Sequence, residues 1–156
     1  MKYLYSALVG IVFLSFNPTL VNAQGANNNR AEGDAFRAKN KTRKGVITTA
    51  SGLQYEILKK GSGPRPKITD AVTVHYHGTL INGKVFDSSV KRGQPATFPI
   101  LRVIKGWQEV VPMMPVGSKW RVVIPPELAY GSRQVGPTIG PDSTLIFEIE
   151  LLSIRK

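Results

Sequence analysis

The most regular hydrophobic pattern in the chain lies at Val72–Tyr76, where apolar and polar residues alternate. This period of two puts the apolar side chains, Tyr76 among them, on one face and predicts a half-buried β-strand. The Asn82-Gly83 pair that follows predicts a hairpin with a type I′ turn, in which both central residues adopt a positive φ. The returning strand would bring Phe86 and Asp87 beside Tyr76. We therefore expect two aromatic rings and one carboxylate on the same patch of sheet.

Three further segments show the same alternation and predict additional strands. Their apolar positions are Leu53, Tyr55 and Ile57; Trp120, Val122 and Ile124; and Leu145, Phe147, Ile149 and Leu151. Ile104–Met113 is the one segment of this region that predicts a helix, which Pro112 and Pro115 would end. Residues 125–143 are rich in proline and glycine and predict a long loop. An antiparallel sheet wrapped around one short helix buries this pattern best, so the expected fold class is α+β.

The first 23 residues have the composition of a targeting segment. Lys2 supplies a positive amino-terminal region, and Leu4–Phe16 is an apolar stretch that is short for a membrane span. Pro18 interrupts this stretch, and small residues precede a cleavage point after Ala23. The sequence therefore predicts a signal peptide over residues 1–23, with a retained anchor helix as the alternative.

The residues between this segment and the predicted sheet are polar and basic. Residues 24–29 are small and polar, and five basic residues but no acidic one lie between Arg37 and Lys44. Phe36 is the single aromatic residue here, which gives a poor apolar stripe for an isolated helix. We expect residues 24–44 to form a basic flexible tail or a short helix, and residues 45–156 to form one domain.

The composition narrows the class of protein. The chain has 156 residues, of which 42% are hydrophobic, and its formal net charge is +11. It contains no cysteine, which rules out disulfides and thiolate chemistry. The positive charge could favour anionic polymers, but no aromatic residues are interleaved with the basic run to stack on bases. We therefore expect no nucleic-acid partner, with weak attachment to anionic envelope polymers as an open alternative.

Few residues have the spacing of a catalytic or metal site. His75 and His77 lie on one strand face, but no third ligand is indicated nearby, so we predict no metal. Ser88-Ser89 has no evident base and is better explained by local hydrogen bonds in a turn. Glu148 and Glu150 share the polar face of the last strand and are expected to face solvent or neighbouring cations.

Four segments resemble the FKBP-type peptidyl-prolyl isomerases. They are VTVHYHGTLINGKVFDSS at 72–89, VIKGWQEVV at 103–111, MPVGSKWRVVIPPELAYG at 114–131 and STLIFEIELL at 143–152. The resemblance extends from about Gly45 to the last residue without large gaps. It implies an FKBP-like sheet around one helix and cofactor-free isomerisation of X-Pro bonds. Within the family, GDAFRAKNKTRKGV at 33–46 is similar to the end of the helical stalk in Mip-like bacterial members, without their amino-terminal dimerisation module.

The resemblance also assigns a prolyl pocket. The residues that it implies for catalysis are Tyr76, Phe86, Asp87 and Tyr130. Those that it implies for substrate binding are Phe98, Val103, Ile104, Trp107, Ile139 and Phe147.

In the same assignment, Trp107 is the floor beneath the proline ring and the Ile104 N–H meets a substrate carbonyl. Arg92 is a supporting partner of Asp87, for which the Tyr76 hydroxyl is an alternative. Ala96 and Arg102 depart from the eukaryotic pattern, in which an aromatic and a neutral or acidic residue are usual. These two departures bear on substrate preference and on the tightness of macrolide binding.

The function implied by the resemblance is acceleration of X-Pro rotation in exported proteins as they fold. A non-catalytic chaperone or peptide-binding module that uses the same pocket is the alternative. Proline-containing polypeptides are the expected partners, and macrolides such as tacrolimus or rapamycin are candidate inhibitors. The expected location is the bacterial periplasm, the expected state is a monomer without a transmembrane span after cleavage, and no cofactor is expected.

Overall fold

The computed structural model describes residues 18–156, with side chains from residue 24 onward. Seven strands form one antiparallel sheet: β1 Val46–Thr48, β2 Gln54–Lys59, β3 Ala71–Leu80, β4 Val85–Ser88, β5 Ala96–Pro99, β6 Lys119–Ile124 and β7 Leu145–Arg155. The helices are α1 Pro18–Asn40, α2 Ser89–Arg92 and α3 Lys105–Val110. Short 3-10 helices cover Ile100–Arg102, Val111–Met113 and Pro126–Leu128. The predicted signal peptide lies mostly outside these residues, and its cleavage point after Ala23 falls within α1.

The strand order is β1-β2-β6-β7-β3-β4, and β5 also pairs with β3. Strand β3 is therefore central, with β7 along one side and both β4 and β5 along the other. The predicted alternation in β3 is confirmed, because Val72, Val74 and Tyr76 are buried while the residues between them are half-buried. Helix α3 packs against this face, and Trp107 and Val110 are its buried contacts with the core. The expected α+β fold with a sheet around a short helix is confirmed.

The hairpin between β3 and β4 is confirmed, but the predicted turn type is wrong. Gly83 has a φ of 87°, whereas Asn82 is not among the described residues with positive φ. The Gly83 N–H donates to the Leu80 carbonyl, and Leu80 N–H donates to the Lys84 carbonyl. The loop thus has three residues, with an ordinary turn followed by one left-handed glycine and a shift in strand register. Asn82 instead uses its side chain, which accepts a hydrogen bond from the Lys84 N–H.

Strand β2 is confirmed, but its burial does not follow the predicted alternation. Leu53 and Gln54 are both buried, whereas Ile57 is 43% exposed. Gln54 lies on the outer face of the sheet, where its amide bonds the Asn40 side chain and the Arg37 carbonyl of α1. The outer face is therefore covered at this point, so polar and apolar neighbours of β2 are buried together.

Helix α1 is longer than the short helix that the sequence left open, and it lies against the outer face of the sheet. Its inward residues recur every three or four positions and are small or polar: Ala26, Asn29, Gly33, Phe36, Arg37 and Asn40. Gly33 is buried, and a Cβ atom there would lie 2.4 Å from Thr144 Oγ1. Glycine thus allows a close approach of the helix to the start of β7.

Candidate active site

A cavity of about 530 Å³ opens between the inner face of the sheet, α3 and the β6–β7 loop, residues 125–144. Its wall is mainly apolar and aromatic. The lining residues are Tyr76, Phe86, Asp87, Phe98, Arg102, Val103, Ile104, Trp107, Tyr130, Val135, Gly136, Pro137, Thr138, Ile139 and Phe147. All of the predicted site residues except Arg92 are in this set, so the structure brings them together in one cavity. Their individual roles stay predictions.

Trp107 lies at the centre of the aromatic wall and is only 4% exposed. Its ring meets those of Tyr76, Phe98 and Phe147 edge to face, with centroids 5.5, 5.9 and 5.3 Å apart. Such edge-to-face contacts are favourable for aromatic quadrupoles and hold each ring in a defined orientation. Trp107 thus connects the aromatic rings of the cavity, and its role as the floor beneath a proline ring stays a prediction.

Two glycines, Gly78 and Gly106, allow close packing around the cavity. A Cβ at Gly78 of β3 would lie 2.7 Å from the Phe86 ring and 3.0 Å from the Phe147 ring. A Cβ at Gly106, next to Trp107, would lie 2.6 Å from the Ile124 side chain of β6. Glycine at these positions lets the aromatic wall approach β3 and lets α3 approach the sheet.

Asp87 is the carboxylate of the cavity, and both partners considered for it from the sequence bind it. The Tyr76 hydroxyl donates to Asp87 Oδ2 at 2.5 Å, and Arg92 Nη1 donates to Oδ1. Arg92 Nη2 also donates to the Tyr76 hydroxyl oxygen at 3.0 Å, which closes a triangle of three side chains. Arg92 comes from α2, which begins with Ser88 as its cap and ends at Gly93, where φ is 69°.

This triangle fixes the protonation of its members. Burial by itself would raise the pKa of Asp87, but the hydrogen bonds from Tyr76 and Arg92 outweigh it and the pKa lies below its usual value. Burial, and secondarily the bond to Asp87, raises the pKa of the Tyr76 phenol. At neutral pH the site therefore holds a neutral phenol and a carboxylate paired with a guanidinium.

The backbone at the start of α3 forms a different wall. Ile104 precedes the helix with φ −58° and ψ 152°, and its carbonyl accepts from the Trp107 and Gln108 N–H groups. The Gln108 side chain in turn donates to the Val103 carbonyl at 2.8 Å. No described residue accepts a hydrogen bond from the Ile104 N–H. This donor is therefore available to a ligand, as its predicted role requires.

The β6–β7 loop covers the remaining side of the cavity. Val135 and Ile139 exchange two backbone hydrogen bonds, of 2.8 and 3.2 Å, around a tight turn at Gly136, where φ is 58°. Ile139 is 5% exposed and Tyr130 is half-buried. Sequence reasoning found these two residues but missed the wall formed by 135–138, for which the Gly136-Pro137 pair was the available signal of a turn.

The remaining candidates lie elsewhere or make other contacts. Arg102 lines the cavity, whereas Ala96 packs against the core from β5 and is absent from the lining. His75 and His77 hydrogen-bond the hydroxyls of Ser89 and Ser88, at 3.0 and 2.9 Å. Among residues 18–156, no three His, Asp or Glu side chains are grouped so as to hold a metal ion.

An apolar concave site with a few polar groups at fixed positions is suited to a small, mostly apolar ligand or side chain. The family described as "FKBP-type peptidyl-prolyl cis-trans isomerase" matches residues 63–152, which include every pocket residue named above. A second family, described as "Domain amino terminal to FKBP-type peptidyl-prolyl isomerase", matches residues 15–57 and thus includes α1. The chain belongs to the FKBP-type peptidyl-prolyl cis-trans isomerase family.

Individual relatives agree with this assignment. "Outer membrane protein MIP" of Legionella longbeachae is 53% identical over 131 residues, which are 84% of this chain and 56% of the relative. "Peptidyl-prolyl cis-trans isomerase Mip" of Coxiella burnetii is 52% identical over 82% of this chain and 56% of the relative. The chain therefore spans about half the length of the curated relatives it matches.

Two solved structures share the fold. The crystal structure of FkpA from Escherichia coli has a TM-score of 0.84 and 44% identity, over 88% of this chain and 64% of that one. A peptidyl-prolyl cis-trans isomerase from Pseudomonas syringae has a TM-score of 0.78 and 38% identity, over 84% of this chain and 96% of that one. Over the described residues, no helix has the length and hydropathy needed to cross a membrane.

Proposed function

We propose that this chain is a peptidyl-prolyl cis-trans isomerase that accelerates X-Pro rotation in exported proteins as they fold. One observation carries the proposal: an aromatic cavity lined by Trp107 has the Tyr76–Asp87–Arg92 triangle and the unpartnered Ile104 N–H at its edges. Membership of the isomerase family supports the same reading.

The proposed mechanism follows from the peptide bond. Rotation about an X-Pro bond faces a barrier of about 18–20 kcal/mol, because it interrupts amide resonance, but no covalent bond is made or broken. The twisted amide is less delocalised than the planar one, and its carbonyl oxygen is less negative. A cavity that excludes water and is lined by aromatic rings therefore favours the twisted form over the planar form.

The required magnitude is within reach of these effects. Uncatalysed isomerisation takes tens of seconds or longer, and reaching milliseconds requires roughly a 10⁴-fold acceleration, which is about 5.5 kcal/mol of barrier. Desolvation of the amide supplies one part of this difference. Hydrogen bonds that hold the peptide groups beside the rotating bond in the geometry of the twisted state supply the other, and the Ile104 N–H and the Tyr130 phenol are the proposed donors.

The Asp87 triangle has a separate proposed role. Asp87 accepts from the Tyr76 hydroxyl, so the carboxylate fixes the orientation of a ring that forms part of the wall. Arg92 balances the carboxylate charge, since it pairs with Asp87 and also lies 5.7 Å from the centroid of the Tyr76 ring. The triangle thus places a paired charge at the edge of the cavity and leaves Trp107 in apolar surroundings.

We also propose that the chain acts in the periplasm after cleavage following Ala23. The basic and apolar pattern of residues 1–23 supports export, and a relative carries the name "Outer membrane protein MIP". Proline-containing chains would be the substrates, and macrolides such as tacrolimus or rapamycin would compete for the same cavity. Arg102 adds a positive charge to the cavity wall, so substrates with an acidic residue near proline should be preferred.

A protease-coupled assay tests the proposal. The chain, purified after export from the expression host, should accelerate cis-to-trans conversion of Suc-Ala-Leu-Pro-Phe-type peptides above the spontaneous rate. EDTA should leave the rate unchanged, since rotation requires no metal. If the rate stays spontaneous while a proline peptide still binds, the isomerase proposal fails and the non-catalytic peptide-binding alternative is favoured.

A further inference from the structure

Arg30 of helix α1 binds the β6–β7 loop near both ends of that loop. Arg30 Nη1 donates to Glu127 Oε1 at 2.6 Å, and Arg30 Nη2 donates to Asp142 Oδ1 at 2.8 Å. The preceding residue, Asn29, donates from Nδ2 to the Pro141 carbonyl at 2.7 Å. One guanidinium therefore bridges the beginning and the end of a single loop, although Glu127 and Asp142 are far from Arg30 in sequence.

The bridged loop is the one that covers the cavity. It contributes Tyr130 and residues 135–139 to the lining. The Asp142 N–H donates to the Gly131 carbonyl at 2.8 Å. The residue whose carboxylate binds Arg30 is therefore itself hydrogen-bonded to the neighbour of Tyr130. A continuous path of contacts thus connects α1 with the pocket phenol.

The backbone at Asp142 requires support from its surroundings. Its φ is 54°, the one positive value among the described residues other than glycine. Aspartate is among the residues that tolerate this region, yet the conformation is held only where neighbouring contacts determine it. Asp142 is largely shielded, with 16% of its side chain exposed, and Arg30 is one of the groups that hold it.

The electrostatics of the bridge agree with its geometry. The hydrogen bond from Arg30 is the largest influence on Glu127 and lowers the pKa of that carboxyl. The bonds to Glu127 and Asp142 raise the pKa of Arg30. A planar guanidinium can hold two carboxylates at a fixed spacing, which one lysine ammonium cannot do in the same way.

We propose that Arg30 is a positioning residue for the pocket: by joining Glu127 to Asp142, it holds the β6–β7 loop in the conformation that binds substrate. This inference rests on the proposed isomerase function. It predicts an effect on substrate affinity, because Tyr130 and Ile139 are carried by the loop. The effect on kcat should be smaller than the effect on KM, because Tyr130 is the one proposed catalytic residue that the loop carries, whereas Tyr76, Phe86 and Asp87 belong to other elements.

The test compares Arg30→Ala with Lys39→Ala in the whole chain. Both variants remove one cation from α1, but the Lys39 side chain is exposed and has no ion pair among the described residues. With Arg30→Ala we expect KM for the proline peptide to rise about threefold to tenfold, since two partly exposed charged contacts are lost. The kcat should fall by a smaller factor than the factor by which KM rises. Arg30→Lys should recover part of the loss, and Lys39→Ala should match the wild type.

A double variant that lacks both carboxylates tests whether Arg30 acts through these two partners or through its charge alone. Glu127→Gln combined with Asp142→Asn removes both carboxylates, and asparagine tolerates the positive φ at position 142. Adding Arg30→Ala to this background should change KM by a clearly smaller factor than in the unaltered chain, because both ion pairs are already gone and only neutral amide oxygens remain to accept from Arg30. An undiminished effect of Arg30→Ala in this background would overturn the proposal.

Hydrogen–deuterium exchange gives a readout that does not depend on activity. Without substrate, Arg30→Ala should speed exchange at the Ile139 and Asp142 amides by at least about threefold, whereas Lys39→Ala should not. Equal exchange and equal KM in the two variants would overturn the positioning role. A wild-type chain without isomerase activity would instead overturn the proposed function, and the exchange comparison would still decide whether Arg30 holds the loop.

Discussion

Replacing Gly33 with alanine should destabilise the contact between α1 and the sheet, although alanine is the better helix former. Gly33 is buried on the inward face of α1. A Cβ there would lie 2.4 Å from Thr144 Oγ1, 3.2 Å from Thr144 Cβ and 3.3 Å from Arg37 Nη1. The first distance is well below van der Waals contact, so Thr144 or the helix must move.

Whether Gly33→Ala stabilises or destabilises the docking of α1 depends on the relative size of two opposing effects. Alanine in place of glycine inside a helix is worth roughly 0.5–1 kcal/mol. Inserting a methyl group into a packed site typically costs about 1–3 kcal/mol. Thr144 cannot easily turn away, because it is 3% exposed and its hydroxyl accepts a hydrogen bond from Arg37 at 2.5 Å. We therefore expect the free energy of docking α1 to become less favourable by about 1–2 kcal/mol.

The chain offers a matched control in the same helix. Gly25 is exposed, and a Cβ there would meet nothing within 4 Å. Gly25→Ala should be neutral or stabilising by up to about 1 kcal/mol. The measurements are urea unfolding followed by circular dichroism at 222 nm, and hydrogen exchange at the amides of α1, which reports undocking even when the sheet stays folded.

A third variant tests the stated cause. Thr144→Ala removes the hydroxyl that a Cβ at Gly33 would meet, although it also loses the bond from Arg37. In that background Gly33→Ala should lose most of its cost, which a double-mutant cycle would show as a coupling of about 1 kcal/mol or more. If Gly33→Ala proves as favourable as Gly25→Ala in the unaltered chain, the close approach of α1 to β7 described here is wrong.

Four further outcomes are expected. Asp87→Ala should lower kcat/KM about 5- to 150-fold in the coupled assay while the chain stays folded, since it leaves the Tyr76 hydroxyl and Arg92 without their shared acceptor and the loss of a charged hydrogen-bond partner costs roughly 1–3 kcal/mol. Full activity would remove Asp87 from the mechanism. Tyr130→Phe should lower kcat/KM within the same range, and an unchanged far-ultraviolet spectrum would confirm that only a hydroxyl was lost. Because the pKa of Asp87 is lowered on folding, its contribution to folding stability is present above the pKa of the unfolded state and is lost as pH falls through the folded value. Because the pKa of Tyr76 is raised, its contribution to folding stability persists until pH rises past about 10. Because neither group changes charge between about pH 5 and 9, the triangle should cause no step in activity over that interval, and a step there that disappears in Asp87→Ala would contradict the triangle. Light scattering should give a monomer mass, because the inward stripe of α1 already lies on the sheet and its outward residues are mostly small or charged; a dimer mass that is lost on deleting residues 24–40 would refute this.

The inner face of the sheet could be predicted from the sequence because short-range rules describe it well. In β3 the alternation marks Val72, Val74 and Tyr76, and all three are buried. The hairpin was also foreseen, but its turn type was not. An Asn-Gly pair fits either a two-residue turn or a three-residue loop that ends in one left-handed glycine, and the choice depends on strand register, which the pair alone does not determine.

The arrangement of α1 could not be predicted because the features that usually reveal a buried helix face are missing. Hydrophobic periodicity detects an apolar stripe, whereas the inward residues here include Gly33 and Asn40. These residues are buried by contacts with Thr144 and Gln54, which are distant in sequence. The same contact explains why β2 departs from its predicted alternation, since it buries the polar side chain of Gln54.

In the pocket too, some residues could be predicted from the sequence and others could not. The aromatic residues of the cavity were identified through the family resemblance, and the structure places them together. By itself, each of these rings would have been read as part of the core. Residues 135–138 were missed because a backbone turn that carries small side chains over a cavity leaves no hydrophobic pattern in the sequence.

The polar contacts between α1 and the sheet restrict where the helix can lie. Hydrogen bonds are directional, and a close glycine contact is possible at one position only, so together they favour one placement of the helix on the sheet. Gly33 sets how near α1 comes to Thr144, and Asn40 fixes the far end of the helix on Gln54. Arg30 lies one turn before Gly33, so its reach to Glu127 and Asp142 follows from that placement. The contacts that dock α1 on the outer face of the sheet therefore also determine where the helix meets the loop that covers the pocket.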